Sequence, residues 1–247
     1  MSGHSHYATI HRQKEAKDAK KGKIFSKLSK AISLAVKSGG SDDPEMNYKL
    51  RMAVEQARAS NMPKDSIENA IKKASTAGDL QEVVYEGFGP YGIAVLIETA
   101  TDNKNRTVQE LKNIFERGGG SLGSPGSTAF NFRKSGLILV EKKPDVQSQI
   151  LSLIDFGVED VSESGDALEV FARAQDTGKL QKELEDSGEK VISVELIMKP
   201  STPEFISDKD KADKIVSFLD KLDDHDDVQS VYANVEIDDN LLISERS

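Results

Sequence analysis

Three of the chain's four histidines, His4, His6 and His11, fall within its first eleven residues. Imidazoles at that density raise the question of a metal centre. Their steps of two and five residues match none of the zinc-ligand spacings. The chain has no cysteine, which excludes disulfides, thiolate ligation and a cysteine nucleophile and fits a reducing compartment. A narrower chemistry stays open. With Met1 removed, Ser2-Gly3-His4 offers a free amine, two amides and an imidazole, a set that wraps Cu(II) or Ni(II) in a square plane. Affinity of that kind is incidental, and neither a resident metal nor a cofactor is expected.

The histidines sit among cations. Arg12, Lys14, Lys17, Lys20, Lys21, Lys23 and Lys27 put seven basic side chains into sixteen positions. Lys20, Lys23, Lys27 and Lys30 recur at steps of 3, 4 and 3 residues. On a helix they form one ridge beside the apolar face of Ile24, Leu28 and Ala35. Upstream, Arg12, Lys14 and Lys17 lie in a stretch with almost no large apolar residues. It cannot bury itself, so residues 1–22 read as a flexible basic arm. An arm of this kind orders on a phosphate backbone as counterions leave, and Tyr7 and the imidazoles are flat groups suited to unpaired bases. The competing reading is a solvated lysine-rich terminus, and composition leaves both open.

Three further stretches carry chemistry-bearing patterns. Gly87-Phe88-Gly89-Pro90-Tyr91-Gly92 matches the G-x-G-x-x-G dinucleotide pattern, but a β-branched, strand-like run follows where that fingerprint needs a helix. A tight Gly/Pro turn is expected, with Phe88 and Tyr91 packed over a strand end rather than stacked on bases. Asp102-Asn103-Lys104-Asn105-Arg106-Thr107 opens a helix; it reads as a cap with Asx turns, with phosphate binding by Lys104 and Arg106 as the alternative. Gly118 to Ser127 is glycine-rich but follows a helix and lacks a Walker lysine, so it reads as a mobile connection or a backbone nest for phosphate.

These residues must be held by a body of opposite character. The chain has 247 residues and a formal net charge of −9. Residues 1–77 hold 15 basic against 8 acidic side chains, and residues 1–37 hold 9 against 2; residues 78–247 hold 18 against 34. An acidic body repels nucleic acid at long range, while a basic end still grips phosphate locally. No apolar run reaches the ~20 residues of a membrane span, and no apolar h-region opens the chain. A cytoplasmic protein without membrane contact is expected.

Hydrophobic spacing predicts the elements. Helical stripes begin at Ile24, after Asp43-Pro44 and after Asn61-Met62-Pro63, a small three-helix bundle. Strand-like runs follow at 82–88 and 93–99, then a helix capped near Asn105 and a strand near 128–132. Residues 137–198 read as β-α-β-β-α-β, the split ferredoxin-like unit. After Pro200 and Pro203 come a helix and a last strand over 228–237. The first β-β-α-β lacks an α-β, and the chain end supplies one. The expected fold class is therefore α+β: a helical domain (1–78), then two ferredoxin-like α/β domains, with residues 135–201 inserted into a domain built from 79–134 plus 202–240.

The stretches "GHSHYATIHRQKEAKDAKKGKIFSKL", "VVYEGFGPYGIAVLIE", "TDNKNRT" and "GGGSLGSPGSTAFNF" resemble the YebC/PmpR family, which includes the mitochondrial translational activator of cytochrome oxidase subunit I. The resemblance covers essentially the whole chain. It implies a helical domain and two α/β domains, one interrupted by the other, and no catalytic activity. It also implies either DNA-binding transcriptional regulation or ribosome-associated relief of stalled translation. By motif, the implied nucleic-acid contacts are His4, Tyr7, His11, Arg12, Lys14, Lys17, Lys20, Lys21 and Lys23. The ridge adds Lys27, and the interdomain cleft adds Lys104, Asn105 and Arg106. The family's G-H-S-K-W-A is here Gly3-His4-Ser5-His6-Tyr7-Ala8, so a fixed charge becomes a titratable one at His6. The expectation is a non-enzymatic, nucleic-acid-binding regulator without a small-molecule substrate. Its first target is ribosomal RNA, with promoter DNA as the alternative.

Overall fold

The computed structural model describes residues 18–74, 80–238 and 241, with side chains from residue 21 onward. The arm residues 1–17 lie outside it. Three helices come first: α1 (Asp18–Gly39), α2 (Tyr48–Ala59) and α3 (Lys64–Ala74). α1 already includes Asp18–Lys23 ahead of the expected Ile24, so the last residues of the expected arm are helical, because Lys and Ala extend a helix without needing an apolar face. Leu28, Ile32 and Val36 of α1 bury against Leu50, Val54 and Ile67. The expected cap at Asp43-Pro44 is instead a turn, closed by Met46 and Asn47 N–H groups donating to the Asp43 carbonyl. The cap of α2 is Asn47, whose side chain accepts from Leu50 N–H at 3.1 Å and donates to the Ala35 and Ser41 carbonyls. One buried amide thus locks the α1–α2 corner.

The remainder alternates strands and helices: β1 (Gln81–Phe88), β2 (Ala94–Thr101), α4 (Lys104–Gly118), β3 (Ser121–Leu122), β4 (Phe132–Glu141), α5 (Val146–Asp155), β5 (Asp160–Ser164), β6 (Ala167–Arg173), α6 (Thr177–Asp186), β7 (Val191–Pro200), β8 (Glu204–Ile206), α7 (Lys209–Asp223), β9 (Val228–Ala233) and β10 (Val235–Ile237). The architecture is α+β. Two four-stranded antiparallel sheets have the orders β3-β1-β2-β9 and β5-β6-β4-β7, and β10 pairs with β8 in parallel. β9 returns to β2 after the second sheet is complete. α4 and α7 then cover the first sheet, where Phe115 meets Phe218 edge-to-face at 5.2 Å among Ile93, Val95, Ile97 and Leu219. A second core forms from Ile138, Val140, Leu153, Val170 and Leu184.

The strand expected near 128–132 is not separate. Ala129–Asn131 is a 3-10 turn, and Phe132 opens a ten-residue strand through Gly136 to Glu141. Gly136 is no breaker: a Cβ there would collide with Thr177 of α6, so the glycine lets that helix approach. The last strand is broken at Asn234, whose side chain accepts from Ala94 N–H at 2.6 Å.

Candidate nucleic-acid interface

The lysine ridge of α1 faces the end of α7, not open solvent. Lys23 Nζ donates to the Asp224 carbonyl (3.0 Å) and Oδ1 (3.3 Å). Lys27 Nζ donates to the Asp223 carbonyl (2.5 Å) and Oδ1 (2.9 Å). Lys30 Nζ donates to the Asp226 carbonyl (2.8 Å) and to Asp227 Oδ1 (2.9 Å). Lys23 and Lys27 thus take carbonyls left over at the C-terminus of α7, where the macrodipole favours a cation, Lys30 takes one from the turn beyond it, and each ammonium adds a carboxylate.

Asp227 is the centre of this contact and is buried. Its Oδ2 accepts from Arg106 Nη2 and Thr107 Oγ1, both at 2.8 Å. Burial pushes its pKa up, but the Arg106, Lys30 and Thr107 hydrogen bonds and the Lys30 charge outweigh that and hold the carboxyl well below the usual carboxylate range. The stretch 102–107 forms a helix cap. Asn103 caps α4 by accepting from Arg106 N–H, and Thr101 Oγ1 accepts from Asn103 N–H. Arg106 also reaches Asp102 at 3.0 Å.

Of the residues singled out from sequence, Lys23, Lys27 and Arg106 therefore come together around Asp223–Asp227. Lys104 and Asn105 are exposed in the first turn of α4, close to Arg106. Lys21 is exposed on α1. His4, Tyr7, His11, Arg12, Lys14 and Lys17, the side chain of Lys20 and the Ser2-Gly3-His4 motif lie outside the described residues. Between α1, α3 and the start of α4 runs a polar cleft of about 660 Å³, lined by Ser29, Lys30, Ser66, Asn69, Lys73 and Arg106 among others.

The glycine-rich stretch is pinned rather than mobile. Buried Glu86 accepts from the N–H groups of Gly126, Thr128 and Ala129, each at 2.7 Å, and Ser121 and Leu122 pair with Phe88 and Gly87. Burial opposes the Glu86 charge, but the three backbone donors win and lower its pKa. The loop's nest is thus filled by the protein's own carboxylate. Gly87 and Phe88 end β1, and Gly89–Gly92 is the turn between strands, with Gly89 N–H donating to the Ile93 carbonyl at 2.8 Å. Tyr91 does not pack over a strand end. It is about half exposed at φ 62°, with Lys211 and Lys214 5.5 and 5.3 Å from its ring centroid.

Glu110, His225 and Asp227 bring ligand-type atoms within 4.8 Å of one another. Those atoms are already engaged: His225 Nδ1 accepts from Asp227 N–H, Nε2 meets Glu110 Oε2 at 2.8 Å, and cations hold both Asp227 oxygens. The trio is a hydrogen-bonded helix end, not a metal cradle. The residues that sequence reasoning overlooked are Asp223 to Asp227 and Glu86. The first had a signal, four carboxylates in five residues opposite a basic ridge; a single glutamate on a strand had none.

Two family models span most of the chain: the TACO1/YebC N-terminal domain over residues 5–77 and the TACO1/YebC second and third domain over residues 80–235. A probable transcriptional regulatory protein of Thermoanaerobacter pseudethanolicus is 44% identical over 97% of this chain and 98% of its own. One from Dictyoglomus thermophilum is 43% identical over 99% of each. The crystal structure of the conserved hypothetical protein Aq1575 from Aquifex aeolicus superposes with a TM-score of 0.83 at 36% identity, covering 90% of this chain and 93% of that one. Among the described residues no helix is long and apolar enough to cross a membrane.

Proposed function

Because the chain belongs to the TACO1/YebC family, we propose that it is a non-enzymatic regulator of gene expression that works in the cytoplasm by binding nucleic acid. The first target is ribosomal RNA, as a translation factor that relieves stalling. The observation that carries this reading is the segregation of charge. Residues 1–37 hold 9 basic against 2 acidic side chains, whereas residues 78–247 hold 18 against 34. A polyanion is repelled by such a body and attracted only to its basic end. A basic arm can enter folded RNA while an acidic body faces basic protein, a division that suits a ribosome better than a duplex wrapped from all sides.

In this reading the helical domain (1–78) delivers the arm. The α/β domain of 79–134 plus 202–240 and the inserted domain of 135–201 form the acidic body. His4, Tyr7, His11, Arg12, Lys14, Lys17, Lys20 and Lys21 make the primary contacts, and Lys104 and Asn105 lie on the cleft side. Co-sedimentation with ribosomes tests it. The intact chain pellets with them, and a chain truncated before Ile24 stays in the supernatant while still melting cooperatively, its helical circular dichroism reduced only by the lost first turns of α1; retained binding by the truncated chain rules out the arm.

The names of the relatives favour a second reading, promoter DNA. One duplex bound at least ~10³-fold above random duplex at physiological salt would decide for it.

A further inference from the structure

The ridge contact, together with α2 lying against β7, joins two units that share no apolar core. The cluster of the helical region draws only on residues of α1 to α3 and their connections, and no hydrophobic cluster among the described residues mixes these with the sheets. A polar interface between separately cored units is one that opens. Its pairs grade from hydrated to largely buried: the side chains of Lys23 and Asp224 are 50% and 69% exposed, those of Lys27 and Asp223 19% and 23%, and those of Lys30 and Asp227 25% and 5%, so the contact is loosest at its Lys23 end. Ion pairs of this kind are individually weak and exchange readily.

The match between the two sides is repetitive. Lys23, Lys27 and Lys30 present about one ammonium per helical turn of ~5.4 Å, and the carboxylates of Asp224, Asp223 and Asp227 answer them in turn. A row of anionic oxygens at steps of a few ångströms is also what a nucleic-acid backbone offers. We propose that Asp223–Asp227 is an internal stand-in for that backbone. It occupies the lysine ridge in the free protein, and single-stranded RNA displaces it, taking the three lysines and freeing α1 from the end of α7. Asp227, buried and held by Arg106 and Thr107, stays in place as the fixed end of the segment. The inference rests on the nucleic-acid reading above and adds to it a reserve site of three cations that a ligand must win.

The test uses the full-length chain and a fluorescein-labelled 20-nucleotide oligouridylate at about 0.1 M salt. The variant Asp223→Asn/Asp224→Asn/Asp226→Asn is expected to bind about tenfold more tightly than wild type, which corresponds to a binding-competent state populated to roughly a tenth in the free protein. A control variant, Asp155→Asn/Glu185→Gln/Asp186→Asn, removes the same charge from exposed positions in the second sheet's layer and is expected to gain less than about twofold, the share due to net charge alone. Equal gains in both, or none in either, overturn the inference and leave the nucleic-acid reading standing. No binding by any of the three proteins overturns the reading itself.

A second measurement does not depend on affinity. The chain lacks cysteine, so Ser38→Cys and Ser217→Cys at exposed sites on α1 and α7 accept a unique pair of spin labels. Saturating RNA lengthens the distance between them if the contact opens; an unchanged distance refutes the displacement.

Discussion

Replacing Asp227 by Asn removes the charge on which α1, α4 and β9's leading turn converge. The side chain is 5% exposed and accepts from Lys30 Nζ at 2.9 Å and from Thr107 Oγ1 at 2.8 Å. Hydrogen bonds to a buried charge contribute about 1.5–3 kcal/mol each. Lys30 is a quarter exposed, so water replaces part of its bond, and about 1 kcal/mol is left. Thr107 has a single proton, shared between Asp227 and the Asn103 carbonyl at 3.0 Å, so its loss is also about 1 kcal/mol. Arg106 is solvated when released and adds nothing to the sum. The expected cost is about 2 kcal/mol, or roughly 4–8 °C in Tm for a unit of this size. The sign of the pH dependence follows from the lowered pKa of Asp227. A depressed carboxyl stabilises fully above its unfolded value of about 3.9 and loses that contribution as pH falls toward the folded value. Urea denaturation followed by circular dichroism should therefore show a gap between wild type and variant that is constant from about pH 8 to 5 and narrows below about pH 4. A gap under about 0.5 kcal/mol, or one equally wide at pH 3 and pH 7, would refute the electrostatic account.

Glu86→Gln keeps the shape but leaves one buried N–H of the 126–129 loop facing an amide NH₂. It should cost about 2 kcal/mol and speed hydrogen exchange at Gly126, Thr128 and Ala129, an effect that fades below about pH 4 because the Glu86 pKa is lowered. Lys199 is buried against the Phe171 ring at 3.6 Å with Asp160 at 3.2 Å. Burial lowers its pKa, so the unfolded chain binds the extra proton, and wild-type stability should rise relative to Lys199→Met as pH climbs toward about 10. At pH 7 the two proteins should agree within about 1 kcal/mol in denaturant melts, since a buried ion pair and a well-packed apolar side chain are close in energy. In RNA-binding titrations, affinity should strengthen from about pH 7.5 to about pH 6 as His6 gains its charge, and a His6→Lys protein should be flatter; equal slopes would remove His6 from the contact.

Local spacing was enough to read most elements. The stripe Leu28-Ile32-Ala35 buries as a helix face, and the β-α-β-β-α-β order over 132–200 appears as one four-stranded sheet. Both patterns are written within windows of a few turns or strands, where each side chain's face is set by a period of 3.6 or 2. Capping was less legible. Asn47 displaced Asp43-Pro44 because its amide also donates back to the Ala35 and Ser41 carbonyls, a contact set by how the chain turns between α1 and α2 and not by the period of either helix.

The sequence by itself determined the segregation of charge, the absence of thiol chemistry and the ridge of lysines on α1. Only the tertiary structure decided what those lysines meet. Their partners stand 196 to 201 residues downstream, and the loop at 126–129 is held by a glutamate 40 to 43 residues upstream. Coulomb attraction and hydrogen bonding act on distances in space. A charge count names the candidates on each side, but only the return of β9 to β2 carries the end of α7 to the ridge.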